Sequence, residues 1–501
     1  MALPRPLVGL ALAVSSFVPS AVAAAATSPT CDDVLAALGS RLADATCFAS
    51  DDLTTANVAT TPANNSIASL PPGAFTPTTD RTVIAPSAAK KTPITRAVPG
   101  IQLDARIADD PSGQGRFLLR LPSDWNGRLV VAGASGTRSE FNGDFAWSDY
   151  VVEKGYAYAS QNKGVLNLRI TSLSSLTPPN PLACRLNPTS SVWVNFYDDD
   201  DGQPFTRWAA FMAQAAELAR DGVKAGYGKK ARYTYAVGTS NGGYQVRRAV
   251  ESYPALFDGG VDWEGTFVDA GAPNLLTDLP AAVLNYPDYL ASGRDPTSTA
   301  ALNVLAAGYP PDIVLSATSS LWTNYSSSFW EVTQCQWQKR LDPGYDTYGA
   351  GVGNYDYVAR LSVSDVGTQI AAFATTGRIQ RPLITVAGTM DALLPIDHHA
   401  RAYARKVAAW LHLGNEDDQA DDDGAPAFRL YEIQNGNHIE TYQDTFAQLE
   451  LVEPHAQRAF DLLVEHVEKG VALPASQCVP RGGAIGVAPS QGGHCVHLFE
   501  P

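Results

Sequence analysis

The run Gly238-Thr239-Ser240-Asn241-Gly242-Gly243 sets a serine between glycines, after the apolar stretch Tyr233–Val237 and before a helical pattern that begins near Tyr244. A serine in G-x-S-x-G at a strand-to-helix turn can act as a nucleophile, because the sharp turn lifts its hydroxyl clear of the backbone. Gly238 and Gly242 carry no Cβ, so the turn can close. The hydroxyl then stands at a helix N-terminus, where the dipole and free N–H groups favour developing negative charge. The Asn241 N–H becomes one oxyanion donor. The plainer reading is a tight glycine-rich turn with an incidental serine, but the order strand, turn, helix favours the nucleophile.

A serine hydroxyl needs a base at neutral pH. All eight histidines, His398, His399, His412, His438, His455, His466, His494 and His497, lie C-terminal to Ser240. His438 sits in Asn435-Gly436-Asn437-His438, a turn-rich loop straight after the strand pattern Phe428–Ile433, where an imidazole can reach over the elbow. His412, His455 and His466 fall in or beside helical patterns, and His494 and His497 flank Cys495 in the tail. For the acid, Leu383–Ala387 is a buried strand pattern that runs into a polar loop holding Asp391. That carboxylate would fix the tautomer of His438 and stabilise its imidazolium. Asp262, at the end of the strand after the elbow helix, is the rival, and Asp397 a weaker candidate. A helix or turn cap is the plain reading of Asp391.

The second oxyanion donor should come from the small-residue loop Gly133-Ala134-Ser135-Gly136, and the Ala134 N–H is the choice made among near-equal neighbours. Trp263, Trp322 and Trp330 are candidate substrate-stacking surfaces. The alternative is that they pack inside the protein.

These residues need a scaffold. Strand patterns at Arg116–Leu121, Leu129–Ala132, Tyr156–Ser160, Tyr233–Val237, Gly260–Asp262, Leu383–Ala387 and Phe428–Ile433 alternate with helical patterns at Trp208–Tyr227, Tyr244–Ser252, Ala400–Leu411 and Glu453–Lys469. Such alternation predicts an α/β fold with a mainly parallel sheet and helices on both faces. Residues 111–265 and 376–501 form its two parts. The aromatic-rich stretch 266–375 lacks strand–helix rhythm and reads as an inserted lid. Residues 24–110, rich in Thr, Ala, Pro and Ser, read as an extended N-terminal segment.

Composition narrows the class. The chain has 501 residues, 45% hydrophobic and 17% charged, which excludes a disordered or fibrous protein. Its formal charge of −15 offers no basic face for nucleic acid. The acidic runs Asp198–Asp201 and Glu416–Asp423 read as solvated loops. Neither has the spacing of a calcium loop, so no metal and no cofactor are expected. Arg5, the apolar stretch Leu7–Val22 and the small residues Ala21-Val22-Ala23 form an export signal over residues 1–23. The stretch is too short and broken to span a membrane, so the protein is expected to be secreted. The six cysteines then default to disulfides. Sequence leaves 15 connectivities open; nearest-neighbour pairing gives Cys31–Cys47, Cys184–Cys335 and Cys478–Cys495.

With these residues in place, the chain resembles the α/β-hydrolase superfamily of serine esterases. The order Ser240, Asp391, His438 is that superfamily's order. The exported N-terminus, the lid between elbow and acid strand, and the phrase Gly155-Tyr156-Ala157-Tyr158-Ala159-Ser160-Gln161-Asn162-Lys163-Gly164 are similar to the tannase and feruloyl-esterase group. That group joins a Cys before the nucleophile to a Cys after the catalytic His, whereas Thr239 and Ile439 stand here. Ser240-Asn241-Gly242-Gly243 also resembles extracellular hydrolases of 3-hydroxybutyrate oligomers. The resemblance implies a secreted carboxylic ester hydrolase that works through an acyl-enzyme on an apolar, aromatic or polyester-type ester. A serine peptidase of the same fold and a catalytically inactive binding protein are the alternatives.

Overall fold

The computed structural model describes residues 1, 28–62, 79–81, 92–136, 139–165, 169–172, 184–195, 204–345, 354–413, 426–487 and 491–501. The expected export signal and both acidic runs lie outside the described residues, apart from Met1.

A single 11-stranded sheet organises the chain. Its strands are β1 (Leu42–Ser50), β2 (Gly100–Ile107), β3 (Arg116–Pro122), β4 (Arg128–Gly133), β5 (Ala157–Gln161), β6 (Tyr233–Thr239), β7 (Gly259–Trp263), β8 (Leu383–Gly388), β9 (Phe428–Ile433), β10 (Gln477–Val479) and β11 (Gln491–Gly492). Their spatial order is β1-β2-β3-β5-β4-β6-β7-β8-β9-β10-β11. From β5 to β10 every neighbouring pair is parallel. The two ends are antiparallel. The central strands β6, β7 and β8 are buried almost throughout, as strands covered on both faces must be.

Helices α1 (Cys31–Leu38), α2 (Pro204–Tyr227) and α3 (Asn241–Ser252) precede β7. Between β7 and β8 come α4 (Leu275–Ala291), α5 (Thr299–Ala306), α6 (Leu321–Ser328), α7 (Trp330–Leu341), α8 (Tyr357–Leu361) and α9 (Val366–Ala371), which build the insertion expected to serve as a lid; α10 (Ala400–Leu413) and α11 (Glu453–Lys469) follow. All seven strand patterns and all four helical patterns read from the sequence are present, with ends shifted by a few residues.

The N-terminal segment needs correction. It is not a loose extension, because β1 and β2 add two strands to the sheet through an antiparallel ladder. It is also tied down by side chains. Arg120, fully buried, pairs with Asp144 and donates to the Thr60 carbonyl. Asp80 accepts the Phe145 and Ala146 N–H groups at 2.9 Å. The edge strand β1 is half-exposed, and its small and polar residues carry little apolar signal; β2, inside the sheet, alternates Ile101, Leu103, Ala105 and Ile107 with polar residues.

The three disulfides are those given by nearest-neighbour pairing. Cys31–Cys47 ties α1 to β1. Cys184–Cys335 fastens a small three-stranded sheet (Arg169–Ser172, Cys184–Arg185, Trp193–Asn195) to lid helix α7. Cys478–Cys495 holds the C-terminal tail on β10. Among the described residues no helix is long and apolar enough to cross a membrane.

Candidate active site

β6 is a buried apolar strand, and α3 starts immediately after it at Asn241. Ser240 lies between them with φ 59° and ψ −123°, a backbone conformation that a non-glycine residue adopts only under constraint. The constraint is visible. The Ser240 N–H donates to the Trp263 carbonyl at 2.9 Å, and the Ser240 carbonyl accepts from Tyr244 N–H at 3.0 Å. A Cβ on Gly238 would come within 2.4 Å of the Gly242 carbonyl oxygen, and one on Gly242 within 2.6 Å of the Gly133 oxygen. The turn therefore closes only with glycine at both positions. Asn241 opens the helix, where first-turn N–H groups have no partner in the helix itself. Its side chain is held by the Thr266 hydroxyl at 2.8 Å.

Asp391 and His438 come from the loops that follow β8 and β9, which are parallel neighbours. His438 Nδ1 is 2.7 Å from Asp391 Oδ2. An ionised carboxylate only accepts, so Nδ1 carries the proton and Nε2 is left as the basic nitrogen. Asp391 Oδ1 accepts the Leu393 and Leu394 N–H groups at 2.8 and 2.7 Å, which fixes the carboxylate plane. The two loops also hold each other. Met390 N–H donates to the Gly436 carbonyl at 2.8 Å, and the Asn437 side-chain amide to the Met390 carbonyl at 2.5 Å. Burial works against a charged imidazole, but the Asp391 carboxylate and its hydrogen bond outweigh it and raise His438 above the ordinary histidine range, with a smaller pull from Glu264 when that carboxyl is ionised.

The rival acids are engaged elsewhere. Asp262 is buried in a pair with Arg247 at 2.6 Å and accepts the Thr385 hydroxyl at 2.9 Å. Asp397 pairs with Arg401 at 3.1 Å on the surface. Among the other histidines, His455 is pushed down to about 4 by burial, and His466 bonds the Val471 carbonyl.

The Ala134 amide corrects an expectation. It donates to Gln245 Oε1 at 2.9 Å, so in this conformation it is not free to receive an oxyanion. Gln245 is itself fully buried and bonded to Gln161 and to the Trp208 carbonyl. The loop is also clamped by the buried Lys163 ammonium, which donates to the Ala134 and Ser135 carbonyls.

Residues 337–496 match the family model described as 3HB-oligomer hydrolase, a segment that contains both Asp391 and His438. A D-(-)-3-hydroxybutyrate oligomer hydrolase of Burkholderia mallei (strain SAVP1) is 30% identical over 132 residues. That alignment takes in 25% of this chain but only 17% of the relative's length. Among solved structures, tannin acyl hydrolase from Aspergillus niger superposes with a TM-score of 0.50 at 12% identity, over 88% of this chain and 87% of that one. The fold is that of the α/β-hydrolases. Feruloyl esterase B from Aspergillus oryzae gives a TM-score of 0.45 at 14% identity, over 86% and 88%.

The three expected substrate-stacking tryptophans are packed inside the protein. Trp263 is fully buried beneath the elbow, edge-on to Trp147 at 6.1 Å. Trp322 belongs to the lid core, with its Nε1–H on the Pro310 carbonyl, although it also borders a 260 Å³ recess with Tyr289 and Arg294. Trp330 donates to the Ala392 carbonyl at 2.7 Å, one residue past the acid. Their indoles serve packing because large aromatic side chains supply the buried area that a helical lid needs.

Two further residues stand at the site: Tyr325, legible in the sequence only as one of the aromatics of the insertion, and Glu264. The Tyr325 hydroxyl of α6 donates to Asn437 Oδ1 at 2.8 Å, next to His438. Together with Trp330 it ties the helical insertion to the loops that carry Asp391 and His438, and the core of the insertion is continuous with Met390, Ala392 and Ile439. Glu264, just after β7, puts its Oε2 3.6 Å from His438 Nδ1. Its signal was a carboxylate at the end of a parallel strand, two positions beyond the Asp262 that was weighed instead.

Proposed function

We propose that this chain is a secreted serine carboxylic ester hydrolase, acting through an acyl-enzyme on polyester-type oligomers of a hydroxyalkanoic acid. The observation that carries the reading is the 2.7 Å bond from His438 Nδ1 to Asp391, which leaves the opposite ring nitrogen as a base on the sheet edge where Ser240 tops its strained turn. The match of residues 337–496 to the 3HB-oligomer hydrolase family supports the substrate class. The even set of disulfides supports export.

In this mechanism Ser240 Oγ attacks the ester carbonyl while His438 Nε2 takes its proton. Asp391 holds the imidazole and balances the positive charge as it forms. The Asn241 N–H meets the oxyanion, with a second donor from the Gly133–Gly136 loop, and removing one such donor costs about 10²–10³ in rate. Collapse expels the alcohol, which takes the proton from His438. Water, activated by the same base, then releases the acid. No cofactor takes part.

The test is turnover of D-3-hydroxybutyrate trimers against p-nitrophenyl butyrate and a peptide p-nitroanilide, with fluorophosphonate labelling of Ser240. Oligomer cleavage that disappears in Ser240→Ala is expected. Preference for the anilide would replace the esterase reading with a peptidase. A native protein that neither labels nor turns over any ester would mark it as a binding module.

A further inference from the structure

Asp391 is not the only carboxyl at His438. Glu264, Asp391 and His438 each offer a ligand-type atom within 4.8 Å of the other two, and all three are buried. Glu264 is locked in place. Its backbone has φ 50°, its N–H donates to the Val386 carbonyl, and its Oε1 and Oε2 accept from the Gly388 N–H at 2.9 Å and the Trp263 Nε1–H at 3.1 Å. A Cβ on Gly388 would come within 2.8 Å of Glu264 Oε1, so β8 ends in a residue that leaves room for this carboxyl. At 3.6 Å the contact from Oε2 to Nδ1 is too long for a hydrogen bond, yet close enough for charge to act strongly.

We infer that Glu264 is a positioning residue for His438: its pinned carboxyl walls the imidazole against Asp391. The inference rests on the esterase reading above. A second anion here would compete with Asp391 for the Nδ1 proton and give the ring two resting orientations. A neutral carboxyl supplies the same shape without that competition. The surroundings favour the neutral form. Burial and then the Asp391 charge push Glu264 up to about 8. The titratable groups that face it are Asp391 after β8, His438 and Glu440 after β9, and Tyr325 of α6, with Glu453 of α11 behind Glu440. His438, when protonated, and the hydrogen bonds from Gly388 and Trp263 pull the other way, and burial with Asp391 outweighs them. Glu440 is itself driven well above its usual range, by burial and then by Glu453.

The experiment compares native protein, Glu264→Ala and Glu264→Gln, reading the fluorophosphonate labelling rate of Ser240 and the kcat and KM for p-nitrophenyl butyrate from pH 6 to 10. Glu264→Ala should lose about tenfold or more in kcat and labelling rate, with KM within about twofold, as expected when orientation but not binding is lost. Glu264→Gln, neutral and of the same shape, should recover most of that loss. Native activity should fall as pH rises through about 8, the pH at which Glu264 ionises, and Glu264→Gln should lack that fall. Should the alanine variant not fold, the glutamine profile alone decides. Native rates in Glu264→Ala, a Glu264→Gln as slow as the alanine variant, or an unchanged alkaline fall would each overturn the inference while leaving the esterase reading intact. A native protein that never labels removes the esterase reading and this inference together.

Discussion

Asp391 Oδ2 and His438 Nδ1 stand 2.7 Å apart, with the carboxylate pinned by two backbone N–H groups and the ring buried. Replacing Asp391 by Asn keeps the shape but offers an amide that can donate to Nδ1, turning the basic lone pair away from Ser240. Asp391→Asn should therefore lower kcat for p-nitrophenyl butyrate by about 10³–10⁴ with little change in KM. Asp262→Asn is the contrast. Asp262 is paired with Arg247 inside the protein, so its loss should lower stability by about 3–5 kcal/mol and leave the pH profile of the surviving enzyme unchanged. Equal kinetic loss in both variants would show that the wrong carboxylate has been assigned.

The pH dependence follows from the direction in which His438 is shifted. The base works only when neutral, so activity must rise as pH climbs through its folded-state value. Burial opposes the charged ring, but the Asp391 carboxylate and its hydrogen bond raise it overall. The acid limb of kcat/KM should thus have its midpoint above the ordinary histidine value of about 6.5. Removing the carboxylate in Asp391→Asn should move what remains of that limb to lower pH. A native midpoint near pH 5 would contradict the electrostatics of the site.

Much of this site could be read in the residues, for definite reasons. Gly238 and Gly242 mark the elbow because no other residue fits between the strand end and the Gly133 loop. Asp391 and His438 each follow a continuous apolar run, and parallel buried strands place their C-terminal loops along one edge. What stayed hidden depends on three-dimensional neighbours. The Ala134 amide looked available until Gln245, far along the chain, took it. Trp263 looked like a binding surface because an aromatic at a strand end is ambiguous between pocket and core. Glu264 was invisible as a partner because its distance from His438 is set by how β7 stacks beside β8, which no local pattern encodes. The edge strand β1 escaped because its residues are mostly polar or small, whereas β2 inside the sheet does alternate Ile101, Leu103, Ala105 and Ile107 with polar residues.

The bridge Cys184–Cys335 spans 151 residues and joins the small sheet to lid helix α7. Closing so long a loop restricts the unfolded chain strongly, and a native disulfide contributes about 2–5 kcal/mol. Cys184→Ser with Cys335→Ser should lower stability by that amount in urea unfolding. The catalytic loops keep their own contacts with Tyr325 and Trp330, so kcat at low temperature should change by less than about threefold. A large loss of kcat in a folded double variant would mean that the bridge sets the lid's seat over the site.

Asp278 of lid helix α4 is the last tie, and its chemistry predicts a pH-dependent one. Its Oδ1 lies 2.8 Å from His398 Nδ1, and its Oδ2 lies 3.3 Å from His399 Nε2, poorly aligned for a hydrogen bond. Both histidines belong to the core, just before α10. His399 accepts the Phe267 N–H at Nδ1 and is held below the usual range by burial, despite Asp278. His398 is raised, since Asp278 outweighs its burial. Asp278 is lowered, because its bond to His398 and the attraction of both histidines overcome the cost of burial. A raised histidine contributes stability that is complete below about pH 6.5 and is lost as pH climbs through its folded value. A lowered aspartate contributes above about pH 4 and loses that contribution as pH falls through its folded value. The charged pair of Asp278 and His398 is thus strongest near pH 5–6. Asp278→Asn should lower Tm most at that pH, with the gap from native narrowing by pH 9, and should speed proteolytic cleavage within the lid. A Tm gap independent of pH would show that Asp278 holds the lid by shape and hydrogen bonding alone, not by charge.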